Sequence, residues 1–269
     1  LSGIAWDHIN VFPTFENYLE QFEIFLDRMM DNGVLAFCVA DEQLDETVHE
    51  YGQHLDQRPY QTPDYVVENG MTYILRGDEK IAVHVFGEHN LQNLMGAMEV
   101  CLALGVEEDS FFEAIADFKG AARRLEEIGR NEQTVVYKDF AHSPSKLSAT
   151  TKAVKDQWPD RNLVACMELH TFSSLTKEFL LEYAHTMDAA DTAIVFFKEE
   201  TIAHKRLDPI SKDEVRASFQ RDDLEVFTVS EDLQSRLLEI DYANSNLLMM
   251  SSGNFGGIDV DRFADQVLA

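Results

Sequence analysis

From residue 125 onward the chain repeats one short pattern, an apolar run of four to six residues followed by an amphipathic stretch of helical length. The runs at 134–137, 163–167, 193–197, 225–229 and 246–251 predict strands. The stretches at 145–157, 175–187, 211–219, 232–240 and 259–267 predict helices. Strands covered on both faces read as continuous apolar runs rather than as alternation. Five strands that each lead into a helix therefore restrict this part of the chain to an open, mostly parallel α/β sheet of Rossmann-like type. Such sheets bind their ligands beyond the carboxyl ends of the strands, which says where to look for chemistry.

The earlier part has a different rhythm. Apolar residues at Phe15, Tyr18, Leu19, Phe22, Phe25, Leu26 and Met29 fall on one helical face, opened by Pro13-Thr14 and stopped by Asp31-Asn32-Gly33. A buried strand is expected at 34–40. Two alternating runs at 65–67 and 71–75 flank Glu68-Asn69-Gly70, a hairpin signal, and a third run covers 81–86. Helices at 90–104 and 110–118 end at Gly105 and Gly120. The change of rhythm near 120–125 predicts two domains, 1–122 and 123–269.

The formal charge of −27 argues against nucleic acid and anionic membrane as partners, because both select a basic surface. It also makes any cluster among the 22 Lys and Arg informative. No apolar run is long enough for a membrane span and no secretory signal is visible. Cys38, Cys101 and Cys166 lie far apart in apolar stretches and read as reduced, buried residues of a cytoplasmic protein. Oligomeric state is not legible.

Against this background a few short blocks carry polar groups at element junctions. Asp7-His8 precedes the first helix, either as a plain turn or as donors for a divalent ion. Gly87-Glu88-His89-Asn90 stands at a strand-to-helix junction with Asn93 one turn further. Asn90 reads as an N-cap, or Asn90 and Asn93 as a pair of carboxamides on one helix face suited to a purine base. Arg123-Arg124 reads as a solvated pair or as a phosphate clamp, for which the planar guanidinium fork is well shaped. Asp139-Phe140-Ala141-His142-Ser143-Pro144 follows the first strand of the repeat, with Lys146 in the first turn of the next helix. It is either a capped loop or a ligand loop offering Asp139 to ribose hydroxyls. The loops 168–174, with His170, Thr171, Ser173 and Ser174, and 251–257, rich in glycine, follow two further strands. No Gly-Lys dipeptide occurs, so there is no Walker A loop, and no Gly-x-Ser-x-Gly elbow accompanies His170.

Taken in order, these blocks resemble those of the Mur ligase family, ATP-dependent enzymes that join amino acids or peptides to UDP-N-acetylmuramate. Gly87–Asn93 is similar to the family's Gly-x-His-Asn-x-x-Asn block, and 139–144 to its Asp-Tyr-Ala-His-x-Pro loop. Asp7-His8 and the arginine pair match the remaining two blocks. The resemblance implies that His8 ligates Mg²⁺, that Asn90 and Asn93 face adenine, and that Arg124 or Arg123 contacts ATP phosphate. It further implies that Asp139 meets the ribose and that His142, Lys146 and the loop with His170, Thr171, Ser173 and Ser174 border the acceptor. The implied fold is the second half of an α/β ATPase domain followed by a complete Rossmann-like acceptor-binding domain. The family's UDP-binding domain, its glycine-rich phosphate loop and an upstream glutamate that shares Mg²⁺ have no counterpart in these 269 residues. The stretch alone is therefore expected to lack ligase activity and to bind ATP weakly or not at all.

Within the family, the 250–257 block is most similar to members that attach the recycled tripeptide L-alanyl-γ-D-glutamyl-meso-diaminopimelate, and Lys138 leans the same way. Members that add L-alanine are the near competitor. A folylpolyglutamate-synthetase-like ligase, which shares this architecture, and a non-catalytic peptide-binding module are the remaining readings.

Overall fold

Residues 1–269 are described by a computed structural model, and their internal contacts divide them into two units, Leu1–Lys119 and Gly120–Ala269. The first unit opens with α1 (Phe15–Asp27), started by Thr14, whose hydroxyl accepts from the Asn17 N–H. Then come β1 (Val34–Cys38), α2 (Glu42–Tyr51) and β2 (Asp56–Tyr60), with β1 and β2 paired in parallel across the α2 crossover. β2 escapes a sequence reading because Pro59 demotes the run, and a two-stranded sheet tolerates proline at its edge. Strands β3 (Tyr65–Glu68), β4 (Met71–Arg76) and β5 (Glu79–Val83) form an antiparallel meander. Its first turn places Asn69 and Gly70 at φ 53° and 74°, as the Asn-Gly signal requires. A second tight turn at Gly77-Asp78 starts β5 two residues ahead of the apolar run at 81–86. Helices α3 (Glu88–Ala103) and α4 (Glu108–Ile115) complete the unit.

The second unit contains β6 (Glu126–Arg130), β7 (Thr134–Asp139), α5 (Pro144–Gln157), β8 (Asn162–Glu168) and α6 (Lys177–Leu180). It continues through β9 (Thr192–Phe196), α7 (Glu199–His204), α8 (Lys212–Phe219) and β10 (Glu225–Phe227). Helix α9 (Ser230–Leu238), β11 (Ser245–Met250) and α10 (Val260–Leu268) end it. The strands lie in the order β10-β9-β8-β11-β7-β6, parallel throughout except for β6, which runs antiparallel to β7 at one edge. Val136, Val164, Cys166, Ile194, Phe196, Leu247 and Met249 form a core with Leu233, Leu237 and Phe263 of α9 and α10.

Two elements depart from the sequence reading. The edge strand β6 carries no strand signal, since Glu126-Glu127-Ile128-Gly129-Arg130 is charged and bulged between Glu127 and Gly129. The helix expected at 175–187 is broken instead. Single 3₁₀ turns at Ser173–Leu175 and Leu181–Tyr183 flank the four residues of α6, Ala184 is extended (ψ 130°) and His185 is left-handed (φ 62°). What positions a site is the strand order: β7 and β8, consecutive in the chain, flank β11. The last strand of the chain, β11, returns from the β10 edge to lie between them, so three loops meet at the carboxyl ends of β7, β8 and β11.

Candidate functional site

Asp139 ends β7 and is 5% exposed. Its Oδ1 accepts from the Ala141 N–H and its Oδ2 from the Leu125 N–H, both at 2.6 Å. The carboxylate thereby ties the loop after β7 to the turn that carries Arg123 and Arg124, and the Phe140 N–H donates to the Arg123 carbonyl at 2.9 Å. Burial raises the Asp139 carboxyl above its ordinary pKa; the two N–H bonds and the nearby Arg124 and Lys146 offset this only in part. Arg124 precedes the Leu125 whose N–H Asp139 accepts, and Lys146 stands in the first turn of α5, so both cations belong to the same strand end. Each Asp139 oxygen already holds a backbone N–H, so substituting this residue would remove two buried acceptors at once.

The arginines differ. Arg123 is left-handed (φ 58°), its backbone N–H donates to Glu126, and its guanidinium donates to the carbonyls of Ser251 at 3.0 Å and Gly253 at 3.3 Å. It also lies over the Phe140 ring at 4.9 Å. Arg123 is thus a clasp between the junction turn and the loop after β11. Arg124, exposed, shares the Phe140 ring at 5.5 Å.

The remaining predicted residues separate into two groups. His170 and Thr171 are half-buried at the end of β8, and Lys146 is exposed in the first turn of α5, whose N-terminus is set by Pro144 at its first position. Ser173 and Ser174, expected to line the acceptor, are buried instead (4% and 0% exposed). Ser174 is bound to Thr171 through both its N–H and its hydroxyl, and the Ser173 carbonyl takes the Thr176 hydroxyl. His142 is also turned inward, with Nδ1 2.8 Å from the Phe140 carbonyl and its own carbonyl accepting from the Tyr183 hydroxyl. Lys138 is paired with Asp261 at 2.8 Å, so its position reflects the docking of α10.

In the first unit, Gly87 caps α3 at φ 84°, ψ 141°, a conformation that suits glycine, and no side chain caps the helix. Asn90 is therefore not the N-cap; its amide donates to the Phe86 carbonyl at 3.0 Å, while Asn93 is exposed one turn further on. His8 is exposed and left-handed (φ 58°), and its N–H donates to Asp7 Oδ1 at 2.7 Å. No three His, Cys, Asp or Glu side chains stand together to hold a metal. A lone imidazole is a poor match for Mg²⁺, which takes oxygen donors in octahedral geometry, so these residues do not themselves make a Mg²⁺ site. No helix is long and apolar enough to cross a membrane.

A cleft of about 540 Å³ opens at the other end of the second unit's sheet, lined by Asn131, Thr134, Leu238 and Tyr242, and no predicted site residue lines it. Glu168, which opens the predicted loop 168–174 without being singled out there, ends β8, is 2% exposed and is bonded to the loop after β11.

The model of the Mur ligase middle domain matches residues 1–101, and that of the Mur ligase, glutamate ligase domain matches 123–253. UDP-N-acetylmuramate–L-alanine ligase of Desulfitobacterium hafniense is 26% identical over 204 residues, covering 72% of this chain and 45% of that protein. The Arthrobacter sp. protein of the same name is 31% identical over 220 residues, covering 78% and 46%. The chain thus spans a little under half the length of these curated relatives. The solved murein peptide ligase of Psychrobacter arcticus has the same fold at 18% identity, with a TM-score of 0.61 over 99% of this chain and 57% of that one.

Proposed function

Because the chain belongs to the Mur ligase family, we propose that it forms the nucleotide- and acceptor-handling part of an ATP-dependent amide ligase of peptidoglycan metabolism. The observation that carries this reading is the placement of two cations at the Asp139 strand end of a protein of charge −27, Arg124 beside the Leu125 N–H that Asp139 accepts and Lys146 in the first turn of the helix that follows β7. In the proposed reaction a carboxylate oxygen of UDP-N-acetylmuramate attacks the γ-phosphorus of ATP, the bond to ADP breaks, and an acyl phosphate results. The acceptor amine then attacks the acyl carbon, phosphate leaves with the C–O bond electrons, and the nitrogen gives up its proton. No protein nucleophile is needed. The chain's part is to hold phosphoryl oxygens with fixed cations and to orient the amine. Arg124 takes the phosphate role, since Arg123 is engaged with backbone carbonyls, and Lys146 adds charge on the same side. Asn90 and Asn93 remain the proposed adenine contacts in the first unit, and Mg²⁺, if carried by the phosphates, would meet at most His8 in this chain. His170 and Thr171 border the acceptor.

For the acceptor we favour the tripeptide, making this a relative of the murein peptide ligases, on the strength of the Met250-Ser251-Ser252-Gly253-Asn254-Phe255-Gly256-Gly257 block. Lys138 does not discriminate, given its pairing with Asp261. L-Alanine is the second reading, favoured by the names of the curated relatives. Phosphate release by the full-length protein, with ATP and UDP-N-acetylmuramate, decides between them. Turnover with tripeptide alone supports the first reading and turnover with L-alanine alone the second. Silence with both sinks the ligase assignment.

A further inference from the structure

Glu168 has no role in the proposed reaction, yet it is the most deeply buried carboxylate at this end of the sheet. Its Oε2 accepts from the Phe255 N–H at 2.8 Å and from the Ser251 hydroxyl, whose oxygen in turn accepts from the Gly253 N–H at 2.7 Å. Its Oε1 lies 3.5 Å from Nδ1 of His170, whose side chain is 38% exposed. Gly253 closes the group: a Cβ at that position would stand 2.7 Å from Glu168 Oε2 and 2.8 Å from the His170 ring. The pairing depends on register, because β8 and β11 are neighbours with Met167 opposite Met250, which sets Glu168 beside Ser251. Burial pushes the Glu168 carboxyl up, but the bonds from His170, Ser251 and Phe255 together outweigh it and hold the group below its ordinary pKa. An ionised carboxylate only accepts, so the ring nitrogen that faces it at 3.5 Å is the one placed to carry the proton.

We infer that Glu168 is a positioning residue for the amine acceptor, holding the loop after β11 with one oxygen and fixing the tautomer of His170 with the other. His170 then turns an unprotonated Nε2 outward, an acceptor for an N–H of the incoming amine. The residue chemistry stands on this chain alone, and the acceptor assignment rests on the proposed ligase function.

Two measurements test it. In this chain labelled with ¹⁵N-histidine, at a pH where His170 is neutral, the ring shifts should report the Nδ1–H tautomer. Glu168→Gln should invert it. The amide oxygen can still serve Ser251 and Phe255 while its NH₂ donates to Nδ1, leaving the proton on Nε2. An Nε2–H tautomer in the unmodified chain overturns the proposal whether or not the variant folds, as does an unchanged tautomer in a folded variant. In the full-length ligase, the same substitution should raise the acceptor KM at least fivefold and leave the ATP KM within twofold. Equal changes in both, or none, would overturn the acceptor role. If the unmodified enzyme turns over no amine at all, it is the ligase reading that has failed, and the tautomer still decides whether Glu168 positions His170.

Discussion

Arg123 and Arg124 are adjacent and identical in type, and their environments split them. Arg123 makes two charge-assisted bonds to the carbonyls of Ser251 and Gly253 and stacks on Phe140. Arg124 lies 5.5 Å from the centre of the Phe140 ring and is exposed to solvent. Arg123→Ala should therefore lower the stability of the chain by about 1–3 kcal/mol, the range for buried hydrogen bonds involving a charged group. Arg124→Ala should stay within about 0.5 kcal/mol, as for an exposed site. Urea titrations of the two variants check this, and equal losses would refute the division. Under the proposed ligase function the order reverses, with Arg124→Ala expected to be the more damaging to ATP turnover. The pair itself was legible in the sequence as a candidate clamp. The split was not, because the carbonyls that engage Arg123 lie 128 and 130 positions away and become neighbours only through the sheet order.

At the scale of elements, the continuous apolar runs marked the central strands well, since β7, β8, β9 and β11 are covered on both faces and need no polar alternation. Local pattern failed where tertiary contacts decide. Residues 175–187 have helical spacing, with Leu175, Phe179, Leu180, Tyr183 and Met187 all buried, yet the chain forms short turns there. Tyr183 stacks on Phe219 at 5.2 Å and its hydroxyl reaches the His142 carbonyl, while the His185 N–H donates to the Phe219 carbonyl at 3.1 Å. These contacts also explain why His142, polar and motif-like in sequence, ends up inside: its loop is anchored from below by Tyr183. Tyr183→Phe keeps the ring packing and removes that anchor. It should cost about 1 kcal/mol, and amide exchange should quicken first in the loop 140–143. Uniform quickening across β7 and β8 would instead mean that the tyrosine supports the whole sheet.

For the whole molecule the governing quantity is charge: 49 Asp and Glu against 22 Lys and Arg. Two opposing effects of salt follow. Added salt weakens local ion pairs such as Arg236–Glu225 and Lys155–Asp191, each of which is at least partly exposed. Pairs of that kind contribute roughly 0–1 kcal/mol, and losing part of it lowers stability. Salt also screens the repulsion among the excess acids, which opposes the compact state, and this raises stability. The second effect should dominate, because folding concentrates all 27 uncompensated charges whereas the pairs engage only a minority of the acids. Screening sets in over a practical range, since the Debye length falls from about 30 Å at 0.01 M to about 10 Å at 0.1 M. The thermal midpoint of this chain should therefore rise by a few degrees, roughly 1 kcal/mol of added stability, between 0.01 and 0.1 M NaCl. Scanning calorimetry across that range measures it. A falling midpoint would show that the ion pairs outweigh the net charge.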